Sequence, residues 1–316
     1  MSAPNASALL AIEIQPNRAA RAPDRWRVAV EPEPDELLSS WLHRLALAHG
    51  LPPRVFGAAL ELSGGAWSGR LDLAPPAALL DRLARRTGLA AAAIAVLSFR
   101  DFGATALLLP MRTKISPRRS ERWRATWLQA CPCCLAEDQN PHFCRVWRLA
   151  TTIFCLRHAR RLIDRCPACQ QALVPFDQAA LAPQHFCAHC LFDLRRATTP
   201  RVHALARRTA QSFAEFGLGL TAEDAAARKA ILGLPARRDP PRSAAFTALS
   251  TRERALCVID HNDEIEAILA AAGRHPAGAP APPKISLAAL LSAYAGVRRR
   301  GPHSSKRADG AASPSS

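Results

Sequence analysis

Nine of the ten cysteines of this 316-residue chain lie between positions 131 and 190, and most of them belong to pairs separated by two residues. The pairs are Cys131 with Cys134, Cys155 with His158, Cys166 with Cys169, and Cys187 with Cys190. A spacing of two residues lets one tight turn bring both side chains of a pair to a single metal ion, with zinc–sulfur bonds of about 2.3 Å. Two such pairs complete a tetrahedron, so the spacing predicts two zinc sites.

Taken in chain order, the first site uses three thiolates and one imidazole, and the second uses four thiolates. Sequential pairing is the simpler arrangement for two ribbons, but the order of the pairs leaves a crossed arrangement open. Cys133 and Cys144 are alternative thiols for the first site, and Cys257 lies far from both. Because each set is complete without water, we expect two structural zinc ions that contribute much of the folding energy of this module.

The charge of the chain indicates an acidic polymer as a partner. Its 42 Lys and Arg residues against 26 Asp and Glu residues give a formal charge of +16 and a pI of about 10.6. A charge of this size favours nucleic-acid binding and carries no information about the fold. The mean hydropathy of −0.05 and the absence of an apolar run near the roughly 18 residues that a bilayer requires predict no membrane contact.

The expected compartment is the cytoplasm. The short apolar patch Leu9–Ile14 precedes the first basic residue, Arg18, which is the reverse of a secretory signal. In a reducing compartment, cysteines at these spacings are better explained as metal ligands than as disulfides.

The residues before the cysteines predict a helical domain over residues 31–110. Apolar residues from Leu37 to Leu47 fall on one helical face, Gly50 ends that helix, and Pro52 and Pro53 begin a second one. Residues 73–99 repeat the plan, which gives two helix-turn-helix-like pairs. Such pairs read DNA in many proteins, but they are also ordinary packing units, and the Ala-rich helix 90–97 has few side chains that reach a base edge.

A basic linker, residues 111–130, follows this domain. Its basic side chains are interleaved with Trp123 and Trp127, which allows either a phosphate contact with base stacking or a solvated linker with buried tryptophans. The candidate nucleic-acid contacts are Arg112, Lys114, Arg118, Arg119, Arg122 and Arg124.

The fold predicted for the whole chain is mainly α, with small β elements of the zinc-ribbon type. A mobile lead-in, residues 1–30, precedes the helical domain. After the linker come a double zinc module at 131–196 and a helical region at 197–272. A basic tail rich in Pro, Ala and Ser occupies 273–316 and is predicted to be mobile.

Several of these motifs together resemble the TniQ family of transposition proteins. The segment PDELLSSWL at 34–42, followed by Arg44–Ala46, is similar to the opening of the helical TniQ domain. Leu37 stands where the family often has Ser, and Cys133 is an unusual extra thiol. The further matches, in the same order, are Cys131, Pro132, Cys134 and Leu135; Trp147–Leu149; Cys155 and His158; Arg161 and Leu162; Cys166, Pro167 and Cys169; Cys187 and Cys190; and Leu191–Leu194.

The resemblance implies a non-catalytic adaptor that selects transposition targets. Such a protein links target DNA or a guide-RNA effector complex to an AAA+ transposition ATPase, which recruits the transposase. The length of the chain places it with the small members, which dock onto a guide-RNA complex or cap the filament of the ATPase. The resemblance leaves the guide-RNA partner and a homodimer open, and the last third of the chain carries no matching motif.

The sequence bears on two other classes of protein, an enzyme and a transcription regulator. An enzyme has little support, because the nucleotide-binding, zincin and nucleophile-elbow motifs are all missing from the sequence. The adjacent carboxylates Glu137 and Asp138 are better explained by helix capping and loop solubility. The second class, a zinc-containing helix-turn-helix transcription regulator, fits the composition equally well, and only the linked order of the motifs favours the transposition adaptor.

Overall fold

The computed structural model describes residues 25–60, 70–103, 105–110, 127–174, 178–202, 204–221, 224–234 and 245–271. Its helices are α1 (Leu38–Ala48), α2 (Pro53–Ala59), α3 (Arg70–Leu73), α4 (Ala77–Thr87), α5 (Ala91–Ala95), α6 (Pro132–Glu137), α7 (Ala204–Gly219), α8 (Ala225–Gly233), α9 (Thr251–Asp260) and α10 (Asn262–Ala271). One antiparallel sheet joins β1 (Phe154–Cys155) to β2 (Arg160–Arg161). The predicted mainly α fold with small β elements is confirmed, and no described helix is long and apolar enough to cross a membrane.

Helices α1 to α5 share a core built on the apolar face of α1, where Leu38, Trp41, Leu42 and Leu45 are fully buried. The helix ends agree with the sequence: Gly50, with φ of +68°, follows α1, and Pro53 opens α2. Two pairs of consecutive helices are therefore present. Nothing in the described residues identifies either pair as a DNA-reading helix-turn-helix, and the candidate reading helix α5 is only five residues long.

Residues 25–30, which the sequence assigned to the lead-in, pack on this helical core. The backbone N–H of Trp26 donates to the Arg86 carbonyl at 2.7 Å, and the Trp26 ring lies 5.2 Å from that of Phe56. The indole N–H of Trp41 donates to the Val30 carbonyl at 2.9 Å. Earlier residues lie outside the described part of the chain.

A second core surrounds the cysteine pairs and includes the end of the predicted basic linker. Trp127, Leu128 and Ala130 are buried, and the Arg148 guanidinium lies 4.2 Å from the centre of the Trp127 ring. Trp127 is therefore a core residue. Residues 111–126, with Trp123 and all six candidate nucleic-acid contacts, lie outside the described residues.

A third core joins helices α7 to α10 to the middle of the chain. Phe213, Phe246 and Ile265 are buried together with Ile153 and Phe154, which directly precede Cys155. A buried polar network adds to this junction, because Gln129 Oε1 accepts hydrogen bonds of 2.9 Å from both Thr251 and Arg254. The helical region thus has a fixed position relative to the cysteine-rich module.

Candidate metal centres

The first cluster combines ligands from a helix start and a hairpin turn. Cys131 immediately precedes α6, whose first residue is Pro132, and Cys134 lies in the first turn of that helix. Cys155 ends β1, and His158 lies in the turn before β2. The antiparallel pairing of the two strands places Cys155 opposite Arg160, so the hairpin carries two ligands to the helix that carries the other two.

The distances in this cluster fit a tetrahedral zinc ion. The Sγ atoms of Cys134 and Cys155 are 3.6 Å apart, and His158 Nδ1 lies 3.4, 3.3 and 3.4 Å from the sulfurs of Cys131, Cys134 and Cys155. A tetrahedron with metal–sulfur bonds of about 2.3 Å has edges of about 3.8 Å between sulfurs. All four ligand atoms lie within 4.8 Å of one another, as a single ion requires.

The second cluster consists of four thiols on two similar loops. The Sγ atoms of Cys166 and Cys190 are 3.6 Å apart, and those of Cys169 and Cys187 are 3.7 Å apart. The four sulfurs also lie within 4.8 Å of one another. The structure therefore joins the cysteine pairs in chain order, and the crossed arrangement that the sequence left open is not the one observed.

Three of the four pairs end in the same backbone conformation. Ala159, Gln170 and Leu191 each directly follow the second ligand of a pair and have φ of +48°, +60° and +57°. This left-handed conformation is usually taken by glycine, because a Cβ there is strained. It allows the chain to turn back, so that the Cys166 N–H donates to the Gln171 carbonyl at 2.9 Å and the Cys187 N–H donates to the Phe192 carbonyl at 2.9 Å.

The electrostatics of the first cluster explain why a cation fits it. Hydrogen bonding with Cys131 and Cys155 raises the pKa of Cys134 above its ordinary value, while hydrogen bonds from Cys131 and Cys134 lower the pKa of Cys155 to about 2. One thiolate is therefore stabilised at the expense of its neighbours. A divalent cation at the centre offsets the repulsion among several thiolates, which is the chemistry of a structural zinc site.

The carboxylate of Glu137 makes an outer contact that the sequence interpretation missed. His158 Nε2 donates to Glu137 Oε2 at 2.9 Å while His158 Nδ1 faces the sulfurs. A carboxylate behind a ligating histidine fixes the tautomer and makes the imidazole a stronger donor to the metal. The hydrogen bond with His158 also lowers the pKa of Glu137. Glu137 therefore orients a predicted metal ligand instead of serving only loop solubility. Its neighbour Asp138 accepts a hydrogen bond of 2.7 Å from Arg157.

The remaining thiols stand outside both clusters. Cys144 Sγ lies 3.8 Å from His142 Nε2, and burial raises the pKa of the Cys144 thiol. Cys257 is fully buried in the core formed by the last four helices. Within the described residues, the only groups of Cys, His, Asp and Glu that could hold a metal ion are the two clusters above.

The motif at residues 34–46 joins the helical core to the first cluster. Glu36 is fully buried and accepts hydrogen bonds from Ser40 Oγ at 2.8 Å and from Arg44 at 2.6 Å. Ser40 Oγ in turn accepts the backbone N–H of Phe143 at 3.0 Å. Burial raises the pKa of Glu36, and the ion pair with Arg44 opposes that shift.

Asp35 and Ser39 extend this junction in two directions. Asp35 accepts hydrogen bonds from the Arg145 side chain at 3.1 Å and from the Val146 backbone N–H at 3.2 Å. Ser39 donates its N–H and its hydroxyl to the two carboxylate oxygens of Asp72, at 2.8 and 2.9 Å. Most polar side chains of the motif therefore have a structural partner. These partners lie in the helical domain, at Asp72, and in the cysteine-rich module, at Arg145 and Val146.

These features define a helical protein built around two four-ligand Cys/His clusters suited to structural metal ions. The family model of TniQ matches residues 27–162 of the chain. The matched segment covers the helical core and the first cluster, and it ends before the second cluster. No curated protein matches the chain.

Proposed function

We propose that this protein is a non-catalytic adaptor for target selection in DNA transposition. In this role it links target DNA, or a guide-RNA effector complex that has found the target, to an AAA+ transposition ATPase. The observation that supports the proposal is the junction at residues 34–46, where the family motif joins two modules that could each contact a different partner. An adaptor needs this rigid connection, because it must hold two partners in a fixed relative position.

The proposed metal ions have a structural role. The ligands are Cys131, Cys134, Cys155 and His158 in the first cluster, and Cys166, Cys169, Cys187 and Cys190 in the second. Each cluster offers four protein side chains to one ion, so a bound zinc keeps no position for a water molecule or a substrate. Zinc would hold the ligand loops of the cysteine-rich module in place, and the helical parts of the molecule pack against this module.

The basic linker would add contacts to nucleic acid. Arg118 and Arg119 belong to its densest stretch of positive charge. Such side chains strengthen binding to phosphates without reading base sequence. A contact of this kind suits an adaptor that depends on another component for sequence recognition.

The proposal is tested by pull-down of a transposon AAA+ ATPase with the pure protein, in the presence of ATP and duplex DNA. We expect retention of the ATPase by the wild-type protein. A variant with Glu36→Ala should weaken it, because the junction loses the acceptor of Ser40 and Arg44. Glu31→Ala is the matched control, since only the backbone carbonyl of Glu31 contacts Arg44.

The alternative is a zinc-containing transcription regulator that reads DNA with one of its helix pairs. This alternative rests on the contacts between α1 and α2 and between α4 and α5, since a helix-turn-helix consists of two packed consecutive helices. Tight binding to one operator sequence, together with no association with an ATPase, would favour the regulator and overturn the adaptor. Retention of the ATPase without a preferred operator is the result that the adaptor predicts.

A further inference from the structure

The sheet of the first cluster carries a group of arginines that lacks acidic partners. Arg160 in β2 forms an antiparallel backbone bridge with Arg201, so two basic residues lie directly opposite each other. Arg207, in the first turns of α7, donates to the Leu156 carbonyl in the β1–β2 turn at 3.1 Å. We call Arg160, Arg201 and Arg207 the arginine cluster.

Like charges opposite each other across a bridge are unfavourable unless an anion separates them. Their Cα atoms are about 5 Å apart in such a bridge, and the pair destabilises the sheet relative to neutral residues. Among the described residues, no carboxylate pairs with any member of the arginine cluster. By contrast, Arg157 in the β1–β2 turn and Arg195 are each paired with carboxylates, at 2.7 to 2.9 Å.

The cluster has donors available for a ligand. Arg160 uses one nitrogen for the Thr199 carbonyl at 2.6 Å, and Arg207 uses one for Leu156. Each guanidinium has five N–H donors, so most of them remain for another acceptor. Arg201 and Arg207 are exposed, and Arg160 is half-buried. Accessible guanidinium groups without acidic partners are suited to phosphate oxygens.

The surroundings favour a duplex over a single strand. Proteins that bind single-stranded nucleic acid stack its bases on exposed aromatic rings. Within the described residues no Phe or Trp side chain is exposed, so this part of the molecule offers charge without a stacking surface. Charge alone matches the phosphate backbone of a double helix.

We propose that the arginine cluster is a binding surface for the phosphate backbone of duplex DNA. This inference deepens the proposed function, because it assigns the DNA contact of the adaptor to the sheet of the first cluster. The contact is independent of base sequence. It places the DNA beside the first metal cluster and next to the start of α7.

The test is a titration of a fluorescent 30-bp duplex with the full-length protein, as a function of salt concentration. Each phosphate contact contributes about 0.9 to the slope of log affinity against log salt. Arg201→Gln should therefore reduce the slope by about 0.9, and the double variant Arg201→Gln with Arg207→Gln should reduce it by about 1.8. At 0.15 M salt the double variant should bind about 30-fold more weakly.

The matched control is Arg195→Gln, which removes the same charge from an arginine already paired with Asp193. Its slope should stay within about 0.3 of the wild-type value, since it neutralises no phosphate. Equal slopes for the double variant and the wild type, or an equal loss in the control, would overturn the proposal. A slope reduced for single-stranded RNA but not for the duplex would overturn it as well.

The outcome is separable from that of the ATPase pull-down. The titration uses only the protein and DNA, so a protein that binds no ATPase can still show the predicted loss of slope. Conversely, an adaptor that retains the ATPase but has an unchanged slope in the double variant contradicts the arginine cluster alone. Thermal unfolding of each variant, with wild-type metal content, verifies that the comparison is made between folded proteins.

Discussion

The contact between His158 and Glu137 yields the sharpest prediction about the first metal cluster. We expect Glu137→Ala to weaken zinc binding at this cluster about tenfold. Loss of an outer partner of a ligating histidine costs 10- to 100-fold in metal affinity. The Glu137 side chain is 52% exposed, so water can replace part of the lost hydrogen bond, and the lower end of the range applies.

The matched control is Asp138→Ala. Asp138 is the next residue and shares Arg157 with Glu137, at 2.7 Å against 2.8 Å, but it makes no contact with His158. Both variants remove one carboxylate from the same turn, so a general electrostatic effect would act on both. Only the loss of the His158 partner distinguishes Glu137→Ala.

The assay is competition for zinc with a chromophoric chelator at pH 7.5, in which the second cluster serves as an internal reference. The first zinc should be released at about tenfold lower chelator activity in Glu137→Ala, and the second zinc should be unchanged. The reasoning is refuted if both variants weaken the first site equally. It is also refuted if Glu137→Ala binds zinc as the wild type does.

Three further predictions concern the second cluster, its backbone and the helical core. Cys166→Ser should release about one zinc and unfold the second cluster, as measured by metal analysis and near-ultraviolet circular dichroism. The control variant Cys133→Ser should keep both ions, and equal metal loss in the two variants would contradict the ligand assignment. Leu191→Gly should raise the free energy of unfolding by about 0.5–1 kcal/mol in urea melts, because it relieves a left-handed residue, and Leu181→Gly should lower it; a loss of stability in both would count against strain at Leu191. Burial raises the pKa of Asp72 to about 6 from 3.8, so Asp72 prefers its proton in the folded state and its contribution to stability falls as the pH rises from about 4 to 7. The free energy of unfolding of the wild type, relative to that of Asp72→Asn, should fall by up to about 3 kcal/mol across this pH range. A difference in unfolding free energy that stays constant with pH would contradict the raised pKa of Asp72.

The sequence was sufficient to predict which Cys and His residues form the two clusters, because each pair is local. Two residues between Cys166 and Cys169 define a turn, and a turn is a property of neighbouring residues. Which pairs come together in one cluster depends on how distant loops pack, and the structure was needed to establish the sequential arrangement. The ends of the first helices were equally readable, since Gly50 and Pro53 act through their own backbone.

Other features depended on residues far apart in the chain. Ser39 binds Asp72 across 33 positions, and no local pattern marks Asp72 as its partner. Glu137 resembled an ordinary surface acid, because only the folded turn brings His158 Nε2 to its carboxylate. The left-handed residue Leu191 was also unpredictable, because a turn of this kind is normally marked by glycine.

Trp127 illustrates how composition can mislead. It follows a run of basic residues, which favoured assignment of residues 127–130 to the linker. In the structure its ring is covered by the buried Arg148 guanidinium and its neighbours Leu128 and Ala130 are buried. The boundary of a charged linker is therefore set by tertiary packing that the charge pattern does not record.

The central feature of the proposed function is a pair of metal-stabilised clusters that hold the modules of the protein together. The decisive measurement is native mass spectrometry of the pure full-length protein, with elemental analysis to identify the metal. We predict two zinc ions per chain, both lost when the protein is denatured with a chelator. Fewer than about two ions per chain in the folded protein would contradict the two-site assignment and the structural role proposed for it.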